Sequence, residues 1–294
     1  MRARQRRENV GPLRAFVREV PPMRLATITT FHAAKRVATV THLREGWVSA
    51  RAALRPEGTP QGKFVVFGQG RSGSSLLLDL IGSHPDVYVE AEIFHRGAHS
   101  RLISPWRYLN ARAALSPRPT YGCQLKIYQM KDDQGIGDVH GFLNDMLGVG
   151  WKVVFLTRRD LFRKALSLVV AEARGQFLDR RSNSRSLESI RIEPERLLEV
   201  MRERAAADEA EKSVLEGIPH VTVTYEADLL DASRHQATCD RVLSYLGLDP
   251  VRVETDFVRT GRNRVSNYVE NYDELCAALG GTEFASYLPE TETA

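Results

Sequence analysis

The sequence predicts an α/β fold, a mostly parallel sheet of the P-loop type with helices on both faces. Three observations carry this expectation. An apolar run at 63–67, Lys-Phe-Val-Val-Phe, passes through a glycine-rich turn straight into a helical pattern. A second apolar run at 151–156 turns through Thr157-Arg158-Arg159-Asp160 into another helix. Strand and helix signals then alternate, which favours parallel pairing with helices covering the sheet.

Residues 1–62 read as a basic, partly helical arm and linker, and residues 63–294 as one domain. In the arm, Leu13, Phe16, Val17 and Val20 recur at helical spacing until Pro21-Pro22 interrupts them. The domain opens on the strand at 63–68. A helix over 76–81 follows and Gly82 closes it. Alternating apolar residues predict a strand within 122–130, the run at 151–156 a second buried strand, and 221–225 another. Polar helices lie between them, such as 194–215 with its many Arg and Glu. The Arg- and Ser-rich stretch 180–189 reads as a surface loop.

With 294 residues, 43% hydrophobic and 27% charged, the composition is that of an ordinary soluble globular protein. No apolar run is long enough to span a bilayer, and the basic N-terminus lacks the apolar core of a secretory signal. The expected location is therefore cytoplasmic, with peripheral membrane contact through the basic arm as an option. Residues 1–60 hold 12 basic and 4 acidic residues, a net of +8, while the remainder holds 29 basic and 33 acidic. The arm carries the positive charge and the domain is mildly acidic. Nucleic acid is not an expected partner, because Phe16, Phe31 and Trp47 are the only aromatics among those charges. Cys123, Cys239 and Cys276 lie too far apart to suggest a disulfide framework or a zinc motif, and no metal is expected.

The spacing Gly68-x-x-x-x-Gly73 is that of a Walker A loop, but Ser74 stands where that motif has lysine. Glycines let the backbone wrap an anion, and the following helix offers its free N–H groups. Ser72, Ser74 and Ser75 add hydroxyl donors, and Arg71 adds a planar fork of N–H groups for oxyanions. The lysine that reaches β and γ phosphates is missing, so the loop suits a compact phosphate rather than a magnesium triphosphate. The stretch Gly70-Arg71-Ser72-Gly73-Ser74-Ser75-Leu76-Leu77 resembles the 5′-phosphosulfate loop of sulfotransferases. It has the Arg-Ser-Gly-Ser-Ser form found in carbohydrate and bacterial branches. The resemblance implies that residues 70–76 bind the donor 3′-phosphoadenosine 5′-phosphosulfate (PAPS). It also implies that Arg71 offsets charge on the departing phosphate of the product, PAP.

A second constellation is Arg159 with Ser167, at a strand end and on the next helix, where both can meet an anion outside the sheet. Their eight-residue spacing resembles the family's 3′-phosphate motif, with Arg158 as the reserve. Tyr225-Glu226-Ala227-Asp228-Leu229 resembles a Tyr-Glu-Asp-Leu segment with Ala227 inserted. That likeness puts Tyr225 near the adenine, and a core tyrosine is the alternative reading. In the tail, Arg262-Asn263 followed by 267–275 is similar to a bacterial sulfotransferase C-terminus, and implies Arg262 or Arg264 at the 3′-phosphate.

Sulfo transfer to a hydroxyl needs a base and positive charge at the leaving group. The stretch 83–95 resembles the family's His-Pro run leading to Glu-Pro-Phe, with Ile93 in place of that proline. The candidate bases are Glu92, His95 and Glu90, in that order. Lys126, in a segment similar to Gly-Phe-Lys-Leu, is a candidate to support the sulfonate or the acceptor. The implied activity is PAPS-dependent sulfo transfer to a hydroxyl on a carbohydrate, glycolipid or small metabolite. The alternatives are a P-loop kinase or other nucleotide phosphotransferase, and a non-catalytic nucleotide-binding protein. The acceptor and the oligomeric state stay open.

Overall fold

The computed structural model describes residues 30–54, 60–95, 101–174, 189–255 and 265–288, with backbone alone over 30–39. The elements run α1 (Thr30–Ala53), β1 (Gly62–Phe67), α2 (Ser74–Gly82), β2 (Val87–Glu90), α3 (Pro105–Ala114), β3 (Thr120–Leu125) and α4 (Val139–Gly148). They continue with β4 (Trp151–Thr157), α5 (Leu161–Arg174), α6 (Pro194–Val214), β5 (His220–Thr224), α7 (His235–Leu246) and α8 (Tyr272–Gly280). Of the expected surface loop over 180–189, residues 180–188 lie outside the described residues.

The five strands form one parallel sheet in the order β2-β3-β1-β4-β5. Strand alternation feeds two cores, one on each face. Val65 and Phe67 join Tyr121, Cys123, Trp151 and Val153 under α3 and α4. Phe64 and Val66 join Val154, Leu156 and Val223 under α2 and α7. Apolar groups thus leave water on both faces, which is why the inner strands read as continuous apolar runs. A third cluster packs α5, α6 and α8 together through Phe162, Leu197, Met201 and Leu275. Helices on both faces of a parallel sheet match the predicted class.

Two local expectations change. The strand read within 122–130 stops at Leu125, and a π-helical turn, Gln129–Asp133, follows. Neither neighbour has a residue paired beyond this level, since Leu125 faces Phe67, the last residue of β1, and Cys123 faces Glu90, the last of β2. Strand β2 was not expected, although its β-branched and aromatic run Val87-Tyr88-Val89 suits a strand. At the N-terminal side, Val48 of α1 belongs to the first core. The Glu45 carboxylate accepts the N–H groups of Ile103 and Ser104 at 2.8 and 2.7 Å, tying α1 to the start of α3. The part of α1 from Glu45 to Ala52 is therefore packed on the domain.

A buried polar network lies between α5, α6 and the turn after β1. Lys164 is fully buried and donates to both Asp208 oxygens at 2.6 Å. Gln69 donates to Asp208 at 2.6 Å and to the Arg204 carbonyl at 3.2 Å. Glu211 is buried beside them, and its Oε1 has no hydrogen-bond partner among the described residues. Burial, then the Asp208 carboxylate, pushes the Glu211 carboxyl up to about 8 from an ordinary 4.5, against the opposing pull of Lys164.

The folded chain holds a proton on Glu211 that the unfolded chain releases above its ordinary value. This contribution to stability is complete below pH 4.5 and is lost as pH rises through about 8. Glu211→Gln keeps the shape without the proton. In urea titrations across that window, wild type should lose stability at up to about 1.4 kcal/mol per pH unit relative to the variant. Parallel profiles for the two proteins would place the pH dependence elsewhere.

Candidate active site

Strand register brings the candidate residues to one level. Phe67 pairs with Leu125 and Phe155, and Thr157 pairs with Thr224. The residues just beyond the carboxyl ends, Gly68, Lys126, Arg158 and Tyr225, therefore emerge side by side. This is the edge at which open α/β sheets bind ligands, and the order reverses around central β1.

The loop from Gly68 to Gly73 is shaped by close contacts. A Cβ at Gly68 would collide with the Leu156 carbonyl oxygen, so the loop leaves β1 pressed against the end of β4. A Cβ at Gly73, which has φ 93°, would stand 2.7 Å from the Tyr225 ring. Among the described residues, Arg71 is the only non-glycine with positive φ, at 68°. That conformation costs an arginine on the order of 1 kcal/mol and persists where surroundings impose it. Here Arg158 donates to the Arg71 carbonyl at 3.0 Å, and its guanidinium lies 4.6 Å from the centre of the Tyr225 ring.

Gly73 caps α2 without a side-chain hydrogen bond, so the N–H groups of Ser74, Ser75 and Leu76 have no capping side chain. Ser72 is buried, and its hydroxyl has no hydrogen-bond partner among the described residues. Leu76 turns its side chain to the second core, so any part it plays at an anion is through its backbone. Gly70 leaves space toward Lys126, whose Nζ would lie 3.3 Å from an added Cβ. These features fit the loop to a phosphate group.

The Arg71 Nε donates to Ser167 Oγ at 2.9 Å, so the loop and the second constellation touch. Burial, then the neighbouring Arg158, pulls the Arg71 guanidinium below its ordinary value, and it stays charged. Arg159 is exposed at the start of α5, and its side chain has no hydrogen-bonding partner among the described residues. Its N–H and that of Asp160 donate to Glu226 at 3.0 and 3.1 Å. The inserted Ala227 is absorbed by a π-helical turn, Tyr225–Leu229, closed by a 2.8 Å bond from Leu230 to Tyr225. Arg262 and Arg264 lie outside the described residues.

The two carboxylates at 90 and 92 have different fates. Glu90 ends β2 and is engaged by Arg112, by Tyr121 at 2.7 Å and by Tyr88 at 3.3 Å. Glu92 accepts from Lys126 through one oxygen and from Gln129 at 2.7 Å through the other. Burial alone would raise the Glu92 carboxyl, but the Lys126 charge, the two hydrogen bonds and His95 together hold it below the ordinary carboxylate value. Lys126 is itself buried, which lowers its ammonium, and Arg204 and Arg71 lower it further against the pull of Glu92. His95 is exposed, with Nδ1 3.9 Å from Glu92 and 3.5 Å from Gln129.

One cavity of about 620 Å³ joins these groups. Gly70, Arg71, Ser74, Ser75, all three candidate bases Glu90, Glu92 and His95, and Lys126 line it, and Ser167 reaches it through Arg71. Arg159 and Tyr225 are not in its lining. Sequence reading missed Arg204, which lines the cavity with its guanidinium 5.7 Å from the Tyr128 ring. Its local sequence, a helix full of Arg and Glu, carries no signal to single it out. Gln129 was also missed, and its spacing of three residues from Lys126 was the available clue. The arrangement presents an ionised carboxylate, a buried ammonium and an arginine-bearing anion loop around one space, which suits proton removal beside a developing negative charge.

No family model matches the chain, and no curated protein matches it significantly. Among solved structures the chain is similar to a sulfotransferase from Alicyclobacillus acidocaldarius at 14% identity and a TM-score of 0.43, covering 79% of this chain and 93% of that one.

Proposed function

We propose that the chain transfers a sulfo group from PAPS to an acceptor hydroxyl of a carbohydrate, glycolipid or small metabolite. The observation that carries the reading is the 2.9 Å hydrogen bond from Arg71 to Ser167. It joins the phosphate loop to the second anion element on the cavity that also holds Glu92 and Lys126. Two adjoining anion positions suit a nucleotide with both a 5′ and a 3′ phosphate group. Ser74 in the lysine position disfavours a magnesium triphosphate.

In this reading the N–H groups of Ser74, Ser75 and Leu76 hold the 5′ phosphate. Ser167 and the exposed Arg159 guanidinium serve the 3′ phosphate. Tyr225, packed under Gly73, braces the loop and borders the adenine side. Glu92 takes the acceptor's proton as the new oxygen–sulfur bond forms and the bond from sulfur to the bridging phosphate oxygen breaks. Arg71 and Lys126 offset the charge that passes to the departing PAP. Lys126 does double service, holding Glu92 ionised while its ammonium lies against Gly70. Glu90 also lines the cavity, but its oxygens are held by Arg112 and two tyrosines, so this reading assigns proton transfer to Glu92 instead.

In a thermal-shift assay PAP should raise the melting midpoint and ATP with magnesium should not; the reverse pattern sinks the reading. Arg159→Ala should weaken PAP about tenfold or more while sparing adenosine 5′-phosphosulfate. Arg158→Ala, which frees the Arg71 carbonyl, should weaken both ligands alike. Identical losses in the two variants would remove Arg159 from the 3′ position.

Glu92→Gln should reduce sulfo transfer from labelled PAPS at least about a hundredfold with PAP affinity retained. Turnover at the wild-type rate would exclude Glu92 as the base.

A further inference from the structure

Helix α1 has two working faces. Thr41, Glu45 and Val48 point inward and are buried. On the other side Val40, Leu43 and Trp47 follow helical spacing and are 65%, 69% and 59% exposed, and Leu54, in the turn just past the helix, is 82% exposed. Half of the large hydrophobics exposed among the described residues thus stand on α1 or just past it. Scattered exposed apolar groups need no explanation, but a row along one helix face marks an interaction surface.

Charge identifies the partner. Residues 1–55 carry twelve basic residues and only three acidic ones, Glu8, Glu19 and Glu45. Glu45 is the sole acid of α1, and it is turned inward onto Ile103 and Ser104. The outward side of the helix therefore has no carboxylate to oppose an anionic surface. Arg51 stacks its guanidinium 5.1 Å from the centre of the exposed Trp47 ring, placing a cation beside an amphipathic indole. Tryptophan flanked by arginine on an apolar stripe is the composition that settles at a lipid headgroup boundary. Among the described residues no helix is long and apolar enough to cross a bilayer, so any contact of α1 is along its side. Arg44 of the same helix lines the cavity, so the stripe and the cavity share one element.

We propose that α1 seats the protein on an anionic membrane surface through Leu43, Trp47 and Arg51. The basic leader adds long-range attraction, and the apolar stripe inserts at the headgroup boundary. This inference stands apart from the sulfo-transfer reading, since its test measures binding to lipid and not activity.

The test is flotation of the full-length protein with phosphatidylcholine vesicles, with and without phosphatidylserine. Wild type should float with the mixed vesicles and not with pure phosphatidylcholine. Leu43→Ser with Trp47→Ser should weaken that partition at least about tenfold at an unchanged melting midpoint. Arg51→Glu alone should weaken it severalfold, and it carries the test if the double variant melts early. Absence of wild-type binding, or undiminished binding by both variants, overturns the proposal. So does sedimentation of wild type as a dimer that the double variant splits, with no lipid binding by either, because the stripe then joins two copies of the chain.

Discussion

The turn after β1 is the constraint from which the site follows. It has no slack: Gly68 is pressed on the Leu156 carbonyl, Gly73 on the Tyr225 ring, and Gln69 is tied to α6 through Asp208. Between these contacts Arg71 is held with positive φ, its carbonyl taken by Arg158 and its side chain by Ser167. A strained backbone held from several elements is preorganised, because strain is tolerated only where the surroundings leave no alternative. The rigid sheet edge supplies those surroundings. A loop held in this way has little reorganisation left to make on meeting a ligand.

The same register sorts the acidic and basic side chains. Glu90 is the last residue of β2, among the aromatic residues of its own sheet face, and it becomes an anchor for Arg112. Glu92 lies two residues further, past the paired region, where Lys126 and Gln129 emerge from the end of β3. Two carboxylates one residue apart thus acquire separate roles from where the pairing stops. The buried Lys126 interacts with both Glu92 and Arg71, so the cavity's charges link the carboxylate to the glycine turn.

Behind the loop the chain buries Lys164 and Glu211 and sets a half-buried Asp208 against Lys164. Burying such groups costs more than their attraction returns unless hydrogen bonds are satisfied, and Glu211 is not fully satisfied among the described residues. This region links α5 and α6 to Gln69 at the start of the loop.

The strand–glycine turn–helix unit, the later strands and the parallel class were legible in the sequence, because each rests on local periodicity and on glycines that only a tight turn requires. So were the places of Arg71 in that turn, of Ser74 and Ser75 at the start of α2, and of Glu92 and Lys126 just beyond strand ends. Tertiary structure alone decided the rest. Whether Arg158 or Arg159 faces the loop depends on the rotation of one residue past β4, and packing on Tyr225 chose Arg158 for the Arg71 carbonyl. Arg204 joins the cavity through the placement of α6, and Glu45 turns inward because α3 begins beside it. Periodicity records which residues leave water, whereas the partner each charge finds is set by contacts between segments far apart in the chain.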